Sequence, residues 1–599
     1  QRRPGIGDSV AHAGIDFGTS NSVLGLLNEN QQPFCHLWGG GSALFPSVAA
    51  VHRGTGAIQA LGEGAMVQWE SGADPDLLCV RRWKMEMGMG TVYQRATGGA
   101  PSNLTPEWLT TQLIEHLLQE IVSGVGGQAI ESALVTVPHG WRRSDPRRCQ
   151  AVRHSAEAVS VGGGRLRVQP NTVSEPVAAG AYWTWEAGRA GPEQKKALSG
   201  SHVLVCDLGG GTIDLTLVEV GGTRAYLDVV DAAHCERAGD WASACVAGEA
   251  ARRMNGAHGT ALPEEPGAFL AAIAEERLSA LRKWFLQADA LKRTISTSAQ
   301  YRRANVPIRA SQHFSDGAEH GLLLQLDLAG LEACLQPFYD ELRVFLISFL
   351  SGLPRSRRPS AVVFAGGGSR IHGVRERVVL PALVEVLATE AEARRVLDRL
   401  PMNMRVADQA IALGAALVAN DLVSVGERLL CNIGIVGGVS AEVAQRLGLK
   451  PQGEVQSILV SPVLSRLTPL PAFVRNDSLN LPTHLSADAR RVRLAAIVEV
   501  DDGSTWLQTW DESLDAATAS DRVSWSLSAD PDGVLWLTLQ PTGGAALRVE
   551  GRYARPDGEG AVAVAPGQGR GANGTDLPPR VTPSQLAEAI KAVSGRAGR

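Results

Sequence analysis

The spacing of apolar residues changes once along the chain, close to Val418. From Ala13 to that point, short runs of β-branched residues alternate with segments in which apolar residues recur at helical spacing. One such segment carries Leu109, Leu113, Leu117 and Ile121. Runs of this kind predict strands and helices in alternation, and therefore an α/β domain over residues 1–420. Small and polar residues at positions 188–200 predict a seam between two halves of this domain.

Beyond Val418, strand-like runs separated by turn residues replace the helical spacing. They are residues 432–439, 455–463, 491–500, 522–528, 534–540 and 547–553. Many short strands at such spacing predict an antiparallel β-sandwich over residues 431–555, after a linker at residues 421–430. Residues 556–599 are rich in glycine and predict a flexible tail, with one short amphipathic helix at Pro583–Val593.

Composition narrows the class of protein. Apolar residues are 44% and charged residues 20% of the 599, as is ordinary for a soluble globular protein. The net charge of −5 gives no sign of a nucleic-acid or membrane surface, and no apolar run is long enough to span a bilayer. The eight cysteines are scattered without a C-x-x-C pair, which argues against a disulfide framework or a zinc site. We therefore expect a cytoplasmic protein with neither nucleic acid nor membrane as a partner.

The first chemical signal is a turn between two apolar strands in residues 13–27. Asp16 ends the first strand, and the turn consists of Gly18, Thr19, Ser20 and Asn21. A glycine lets the backbone approach phosphate closely, and the hydroxyl and amide groups beside it can donate to phosphate oxygens. A hairpin whose turn residues are merely polar would show the same pattern.

Residues 203–220 repeat this design. An apolar strand ends at Asp207, the turn holds Gly209, Gly210 and Gly211, and Thr212 leads into the next strand. Two such hairpins about 190 residues apart predict a duplicated domain whose loops face one ligand. Two unrelated hairpins are the alternative. Asp16 and Asp207, one from each half, would hold the same divalent cation through water, as Mg²⁺ prefers.

The paired loops resemble those of a known superfamily. The chain contains no G-x-x-x-x-G-K-[ST], so a P-loop nucleotidase is not supported. The arrangement instead resembles the phosphate loops of the actin-like ATPases. That resemblance implies an α/β actin-like fold of two ribonuclease-H-like halves, followed here by the all-β sandwich. It also implies that ATP or ADP binds between the halves, with Thr19 and Thr212 orienting phosphate and water.

One further stretch is similar to the adenosine loop of the 70-kDa heat-shock chaperones, the DnaK-type branch of that superfamily. Residues 361–374 read A-V-V-F-A-G-G-G-S-R-I-H-G-V, a buried strand followed by glycines. The resemblance implies that the nucleoside is bound by Gly366, Gly367, Gly368 and Arg370. Asp408 begins a stretch similar to the helix that closes the nucleotide domain in that family.

The most discriminating stretch is A-D-A-L-K-R-T-I-S-T-S at residues 288–298. On a helix, Asp289, Lys292, Arg293 and Ser296 lie on one face, which by itself is also typical of a solvated helix. The chaperone family carries E-x-x-K-R-x-x-S here and clamps adenine with it. The resemblance therefore implies an adenine clamp in which aspartate replaces the family's glutamate.

The same resemblance assigns the remaining site residues. Glu175, in S-E-P-V-A-A, matches the family glutamate near the cation, and Gly239 matches a glycine near the phosphates. The family also has a lysine that is implicated in phosphate cleavage. In this chain Arg81 stands at the matching position, in C-V-R-R-W-K, and Lys84, one turn later, is the alternative replacement for that lysine. Because an arginine is not equivalent to a lysine point charge, the choice between the two cations stays open.

These resemblances imply an ATP-dependent molecular chaperone and a slow ATPase. ATP and Mg²⁺ would control how the sandwich binds unfolded or extended polypeptide, with co-chaperones or an exchange factor as further partners. The family's hydrophobic linker is represented only by residues 421–426, and no long helical lid follows the sandwich. The chain is accordingly interpreted as a divergent, lidless member. A non-chaperone regulator or exchange-factor-like protein, whose sandwich binds one dedicated partner, is the alternative.

Overall fold

The computed structural model describes most of the first 426 residues and a set of strands beyond them. The described residues are 11–71, 74–94, 103–123, 130–144, 146–161, 164–165, 167–168, 172–189, 199–221, 226–274, 279–298, 300, 308–317, 319–399, 406–426, 432–438, 458–464, 472–476, 491–499, 505–513, 523–530, 534–541, 546–550 and 552–554. The predicted tail, most of the predicted seam at 188–200 and residues 427–430 of the predicted linker lie outside them.

The chain divides into two compact units. The first holds the residues up to Gly140 together with Ala151–Val425, and the second holds Trp141–Gln150 together with the residues from Gly426 onward. The predicted domain bounds, at residues 420 and 431, stay a prediction.

Strands and helices alternate in the described residues up to Arg189. The strands are β1 Ala11–Asp16, β2 Asn21–Leu27, β3 Pro33–Cys35, β4 Phe45–Pro46, β5 Val48–His52, β6 Ile58–Leu61, β7 Leu77–Arg81, β8 Ile130–Val137, β9 Ser160–Val161, β10 Gly164–Arg165, β11 Arg167–Val168 and β12 Val173–Ser174. The helices are α1 Glu63–Ser71, α2 Pro106–Ser123, α3 Trp141–Ser144, α4 Pro146–Glu157 and α5 Glu175–Arg189, with a 3-10 turn at Trp83–Glu86.

The same alternation continues in the described residues from His202 to Gly426. The strands are β13 His202–Leu208, β14 Ile213–Val220, β15 Tyr226–Cys235, β16 Ala310–Ser315, β17 Gly321–Leu326, β18 Ala361–Ala365 and β19 Ser424–Gly426. The helices are α6 Gly239–His258, α7 Pro266–Ala274, α8 Ser279–Thr297, α9 Leu328–Gly352, α10 Leu380–Leu387, α11 Glu390–Asp398 and α12 Ala410–Ala419. Short 3-10 turns occur at Arg355–Arg357 and Gly367–Arg370, and a π-helical segment at Val374–Val379.

The two halves of the first unit repeat one strand order. In the first half the order is β11-β8-β1-β2-β3, with β1 antiparallel to β2 and parallel to β8. In the second half it is β18-β13-β14-β15-β19, with β13 antiparallel to β14 and parallel to β18. Each half therefore starts with a hairpin whose first strand also pairs in parallel with a later strand. This mixed α/β architecture is compatible with the predicted actin-like ATPase fold.

Helix α12 closes the first unit through unusually close contacts. A Cβ atom on Gly414 would lie 1.7 Å from the Ala178 carbonyl oxygen in α5, and one on Gly14 would lie 2.2 Å from the Ala416 nitrogen. Real Cβ atoms do not approach backbone so closely, so these positions require glycine. Gly414 therefore lets α12 pack closely against α5, and Gly14 lets β1 pack closely against α12.

The second unit contains two antiparallel sheets among its described strands. These are β20 Asn432–Gly438, β21 Ile458–Leu464, β22 Ala472–Asn476, β23 Arg491–Glu499, β24 Thr505–Ser513, β25 Val523–Ala529, β26 Leu535–Pro541, β27 Leu547–Glu550 and β28 Arg552–Ala554. One sheet has the order β21-β20-β23-β24-β28, and the other β22-β25-β26-β27. The all-β prediction agrees with these sheets, whereas their stacking as a sandwich stays a prediction.

Two of these strands, β22 and β24, were not predicted from the sequence. The five residues of β22 follow Pro469 and Pro471, which reads as a loop. In β24 the sequence T-W-L-Q-T-W-D-E-S does not alternate apolar and polar residues, so it lacks the usual sign of a strand with one buried face.

None of the described helices combines the length and the apolar character that crossing a membrane requires.

Candidate functional site

One cleft in the first unit gathers the predicted site residues. Its lining includes Asp16, Gly18, Thr19, Ser20, Asn21, Arg81, Glu175, Asp207, Gly209, Gly210, Thr212, Gly239, Asp289, Lys292, Arg293, Ser296, Gly366, Gly367, Gly368, Arg370 and Asp408. Gly211 lies directly behind this surface, because a Cβ atom there would be 2.8 Å from Thr19 Oγ1. Residues that are far apart in sequence, from both halves, thus meet around one space.

The two glycine turns approach each other across this cleft. Each turn follows the first strand of its half, so the repeated strand order places the turns opposite one another. A Cβ atom on Gly210 would lie 2.4 Å from Ser20 Oγ. The second turn is held by backbone bonds: Gly209 N donates to Thr212 O at 2.9 Å, and Asp240 N donates to Gly210 O at 2.7 Å. The second turn is therefore preorganised, and glycines and hydroxyl residues of both turns line the same space.

Three buried carboxylates lie at the bottom of the cleft. Asp16, Glu175 and Asp207 are each less than a tenth exposed. Burial, and then the negative charge of Glu175, raise the pKa of Asp16 to about 7. The same two causes raise the pKa of Asp207 well above its ordinary value. Asp207 Oδ1 has no hydrogen-bond partner among the described residues. The cluster therefore holds negative charge that the protein does not fully compensate.

These acids fit a hydrated divalent cation. In the described part of the chain, no three His, Cys, Asp or Glu side chains are close enough to ligate a metal ion together. Mg²⁺ keeps several of its waters and takes few direct protein ligands, so it does not require such a group. The unpartnered Asp207 Oδ1 and the raised pKa values of Asp16 and Asp207 fit such a cation, because its charge would lower these pKa values and its waters would donate to the free oxygen.

Lys84, and not Arg81, reaches the acid cluster. Lys84 Nζ lies 2.5 Å from Glu175 Oε1 and 5.5 Å from the centre of the Phe17 ring. The side chain is 2% exposed. Strand β7 ends at Arg81, and Arg82 then adopts a left-handed conformation with φ 65° before the turn Trp83–Glu86. This reversal carries Lys84 inward, so of the two open cations Lys84 is the one that contacts the acid cluster.

The predicted adenine clamp forms one buried polar network. Asp289 Oδ1 accepts a hydrogen bond from Ser243 Oγ at 2.9 Å and lies 3.0 Å from Lys292 Nζ. Lys292 Nζ also donates to Gly239 O at 2.9 Å, and Arg293 donates to Asp289. Burial alone would raise the pKa of Asp289, but Lys292 and Arg293 hold it below its ordinary value. The network ties α8 to the start of α6. Asp289, Lys292 and Ser296 are buried on this face, whereas the Arg293 side chain is 59% exposed.

On the opposite wall, Arg370 Nη2 donates to Asp408 Oδ1 at 2.8 Å. This ion pair links the loop after β18 to the residues just before α12, and both of its members line the cleft. The pair fixes the orientation of the guanidinium plane, which is a surface that can stack on a planar base.

Sequence reasoning missed a second buried acid–base pair. Asp214 Oδ1 accepts hydrogen bonds from Gly140 N and from His234 Nδ1, each at 3.0 Å. Asp214 is also the cross-strand neighbour of Asp207, so the pair lies directly beside the acid cluster. His234 lies opposite Asp214 because of the register between β14 and β15, and no local sequence motif predicts this pairing.

His234 is expected to make stability fall at alkaline pH. Burial alone would lower its pKa, but Asp214, with Glu236 contributing, raises it to about 9. A group whose pKa is raised on folding stabilises the folded state. For His234 this contribution to the free energy of unfolding is ~3 kcal/mol; it is complete below about pH 6.5 and is lost as the pH rises through about 9. Thermal unfolding of wild type and His234→Asn should therefore differ most near pH 6 and least near pH 10. A difference that does not depend on pH would contradict the protonated pair.

The fold and the cleft together define a class of protein: a duplicated α/β unit with two facing glycine turns over a buried acid cluster, compatible with an actin-like ATPase. No protein-family profile matches the chain. The chain is 28% identical to the chaperone protein DnaK of Endomicrobium trichonymphae over 216 residues, and the aligned region is 36% of this chain and 30% of that protein. It is 30% identical to the chaperone protein DnaK of Thermotoga neapolitana over 208 residues, and the aligned region is 35% of this chain and 30% of that protein.

These similarities support a relationship to the 70-kDa heat-shock chaperones. The chain spans about a third of the length of the curated relatives that it matches. An ATPase activity agrees with that relationship, whereas the activity of the whole protein, its substrates and its partners are matters for proposal.

Proposed function

We propose that the chain binds ATP and ADP with hydrated Mg²⁺ in the cleft of the first unit and hydrolyses ATP slowly, as a chaperone related to DnaK. The observation that carries this proposal is the convergence of both glycine turns, the acid cluster with Lys84 and the clamp network on one cleft. An isolated polar turn or an isolated acidic pair would be ordinary, but their meeting in one space is what nucleotide binding requires.

The phosphate end of the cleft supplies charge and positioning. Mg²⁺, when bound, would neutralise charge on the phosphates, with Asp16 and Asp207 holding its waters and Glu175 supporting them. Lys84 would place a positive charge beside the transferred phosphoryl group. Thr19 and Thr212 would orient phosphate and the attacking water. Phosphoryl transfer depends mainly on positioning and electrostatic stabilisation, so this set is sufficient in kind.

The other end of the cleft would hold adenosine. Asp289, Lys292, Arg293 and Ser296 approach from α8, while Gly366, Gly367 and Gly368 expose backbone on the opposite side. Arg370, held by Asp408, would flank the base. A preorganised network of this kind binds with little loss of side-chain entropy, because its members are already fixed before the ligand arrives.

Polypeptide binding is assigned to the second unit. Its sheets end in the edge strands β21, β28, β22 and β27 among the described strands. An exposed edge can pair with an extended peptide through backbone hydrogen bonds, which gives affinity without a defined sequence. Unfolded or extended polypeptide would be the ligand, with co-chaperones or an exchange factor as further partners.

Steady-state ATP turnover of the full chain, with and without a panel of unfolded hydrophobic peptides, tests this function. We expect slow turnover that rises when peptide is added and that disappears in Lys84→Ala. Turnover that responds to none of the peptides, although ATP binds, would contradict the coupling to polypeptide. Stimulation by one native protein alone would favour the regulator instead.

A further inference from the structure

Arg81 carries a buried guanidinium group without a hydrogen bond. Its Nε and Nη1 atoms have no accessible surface and no partner among the described residues. Burial lowers the pKa of Arg81, while the carboxylates of Asp240 and Asp289 oppose that effect. An arginine stays protonated in a protein, so these N–H groups remain donors without an acceptor. Leaving buried charged donors unsatisfied is costly.

Two aromatic rings from different halves of the unit hold this guanidinium. Its central carbon lies 5.3 Å from the Trp69 ring centroid and 5.4 Å from the Phe285 ring centroid. Trp69 belongs to α1 in the first half, and Phe285 belongs to α8 in the second. Both rings are part of one hydrophobic cluster that joins the halves. We name Trp69, Arg81 and Phe285 the cleft roof.

The position of Arg81 separates it from the phosphate chemistry. The charges that act on it are Asp240, Asp289, Arg82 and Arg293, of which two belong to the clamp network. The acid cluster pairs with Lys84 instead. Arg81 nevertheless lines the cleft. Nε and Nη1 are enclosed by protein and out of reach of a ligand, whereas Nη2 is not enclosed in this way. An acceptor for Nη2 would lie in the cleft, between the glycine turns and the clamp.

We propose that Arg81 is a nucleotide-retaining residue, whose guanidinium donates hydrogen bonds to oxygen atoms of the bound nucleotide and thereby holds the roof closed over it. This inference rests on the proposed function of the cleft. It assigns Arg81 to retention of the ligand, whereas the resemblance left open whether Arg81 or Lys84 replaces the lysine implicated in phosphate cleavage. Trp69 and Phe285 act as positioning residues, because both rings contact the guanidinium and limit its orientation.

Release of a fluorescent ADP analogue, chased with excess ADP in a stopped-flow instrument, tests the proposal. Arg81→Gln keeps a polar but shorter side chain and removes the charge and the guanidinium fork, and we expect release about ten- to a hundredfold faster than in wild type. Hydrolysis of ATP that is already bound should fall by less than about threefold. Arg282→Gln is the matched control: Arg282 stands over the same Trp69 ring at 5.8 Å but does not line the cleft, so release should stay at the wild-type rate.

The outcomes separate the inference from the function on which it rests. Wild-type protein that shows no saturable binding of the analogue would overturn the proposed function itself. Wild-type binding with unaltered release from Arg81→Gln would overturn only the retention role. Loss of hydrolysis in Arg81→Gln as large as in Lys84→Ala would also overturn it, because Arg81 would then act on the phosphates. Should Arg81→Gln fail to fold, Arg81→Lys decides in the same way, with release several-fold faster expected and wild-type release contradicting the role.

Discussion

Replacing Lys84 by alanine is expected to slow hydrolysis of bound ATP by about a hundred- to a thousandfold, or ~2.7–4 kcal/mol of barrier. Lys84 Nζ contacts Glu175 at 2.5 Å in a buried site, and its charge also acts on Asp16 and Asp207. An electrostatic contribution is large here because the side chains are screened from water. A single-turnover measurement with radiolabelled ATP reports this step without interference from product release.

Lys84→Ala needs a control because it also leaves the buried carboxylate of Glu175 without its partner. Breaking a buried ion pair by removing one partner destabilises a protein by about 3–5 kcal/mol. Lys84→Ala combined with Glu175→Gln removes both charges and should recover much of that stability, as seen in thermal unfolding. The double variant should still hydrolyse ATP slowly. Wild-type hydrolysis in Lys84→Ala, together with an inactive Arg81→Ala, would show that Arg81 is the catalytic cation after all.

Replacing Gly210 by valine is expected to abolish ATP binding while the second unit stays folded. A Cβ atom at this position would lie 2.4 Å from Ser20 Oγ and 3.7 Å from Asp240 Oδ1. The branched side chain would therefore fill the gap between the two glycine turns, where backbone must face phosphate. We expect affinity to fall by more than about a thousandfold, or at least ~4 kcal/mol. Equilibrium titration with a fluorescent ATP analogue measures the loss.

Gly39→Val is the matched control for that variant. Gly39 is exposed, has an ordinary φ, and would place its Cβ atom with no neighbour within 4 Å. The same change in volume and β-branching should leave ATP affinity as in wild type there. Near-normal affinity in Gly210→Val, or an equal loss in both variants, would contradict the assignment of the phosphate loops.

Much of the first unit could be predicted because its chemistry is local in sequence. The turns after Asp16 and after Asp207 each combine a strand end, glycine and a hydroxyl residue within a few positions. Such a pattern reads directly from the chain, and the duplicated strand order then places both turns on one cleft. The clamp residues were predicted from the resemblance to the chaperone family, because helical spacing puts Asp289 and Lys292 on one face but does not distinguish a clamp from a solvated face.

The rest depended on conformation and register, which the sequence does not display. Arg82 has a left-handed backbone conformation, and the chain reverses there. As a result, Lys84 contacts Glu175, whereas Arg81 contacts the Trp69 ring. The pair of His234 with Asp214 arises from strand register between β14 and β15, across 20 positions. Strand β24 escaped prediction because its polar and apolar residues do not alternate, so its place is set by pairing with β23.

Calorimetric titration of the full chain tests directly whether the cleft of the first unit is a site for ATP with Mg²⁺. ATP is titrated into the protein once with Mg²⁺ and once with Mg²⁺ removed by a chelator. We expect saturable binding of one nucleotide per chain, weakened when Mg²⁺ is absent because the buried carboxylates then repel the phosphates. Heat that never saturates, or equal affinity with and without Mg²⁺, would contradict it.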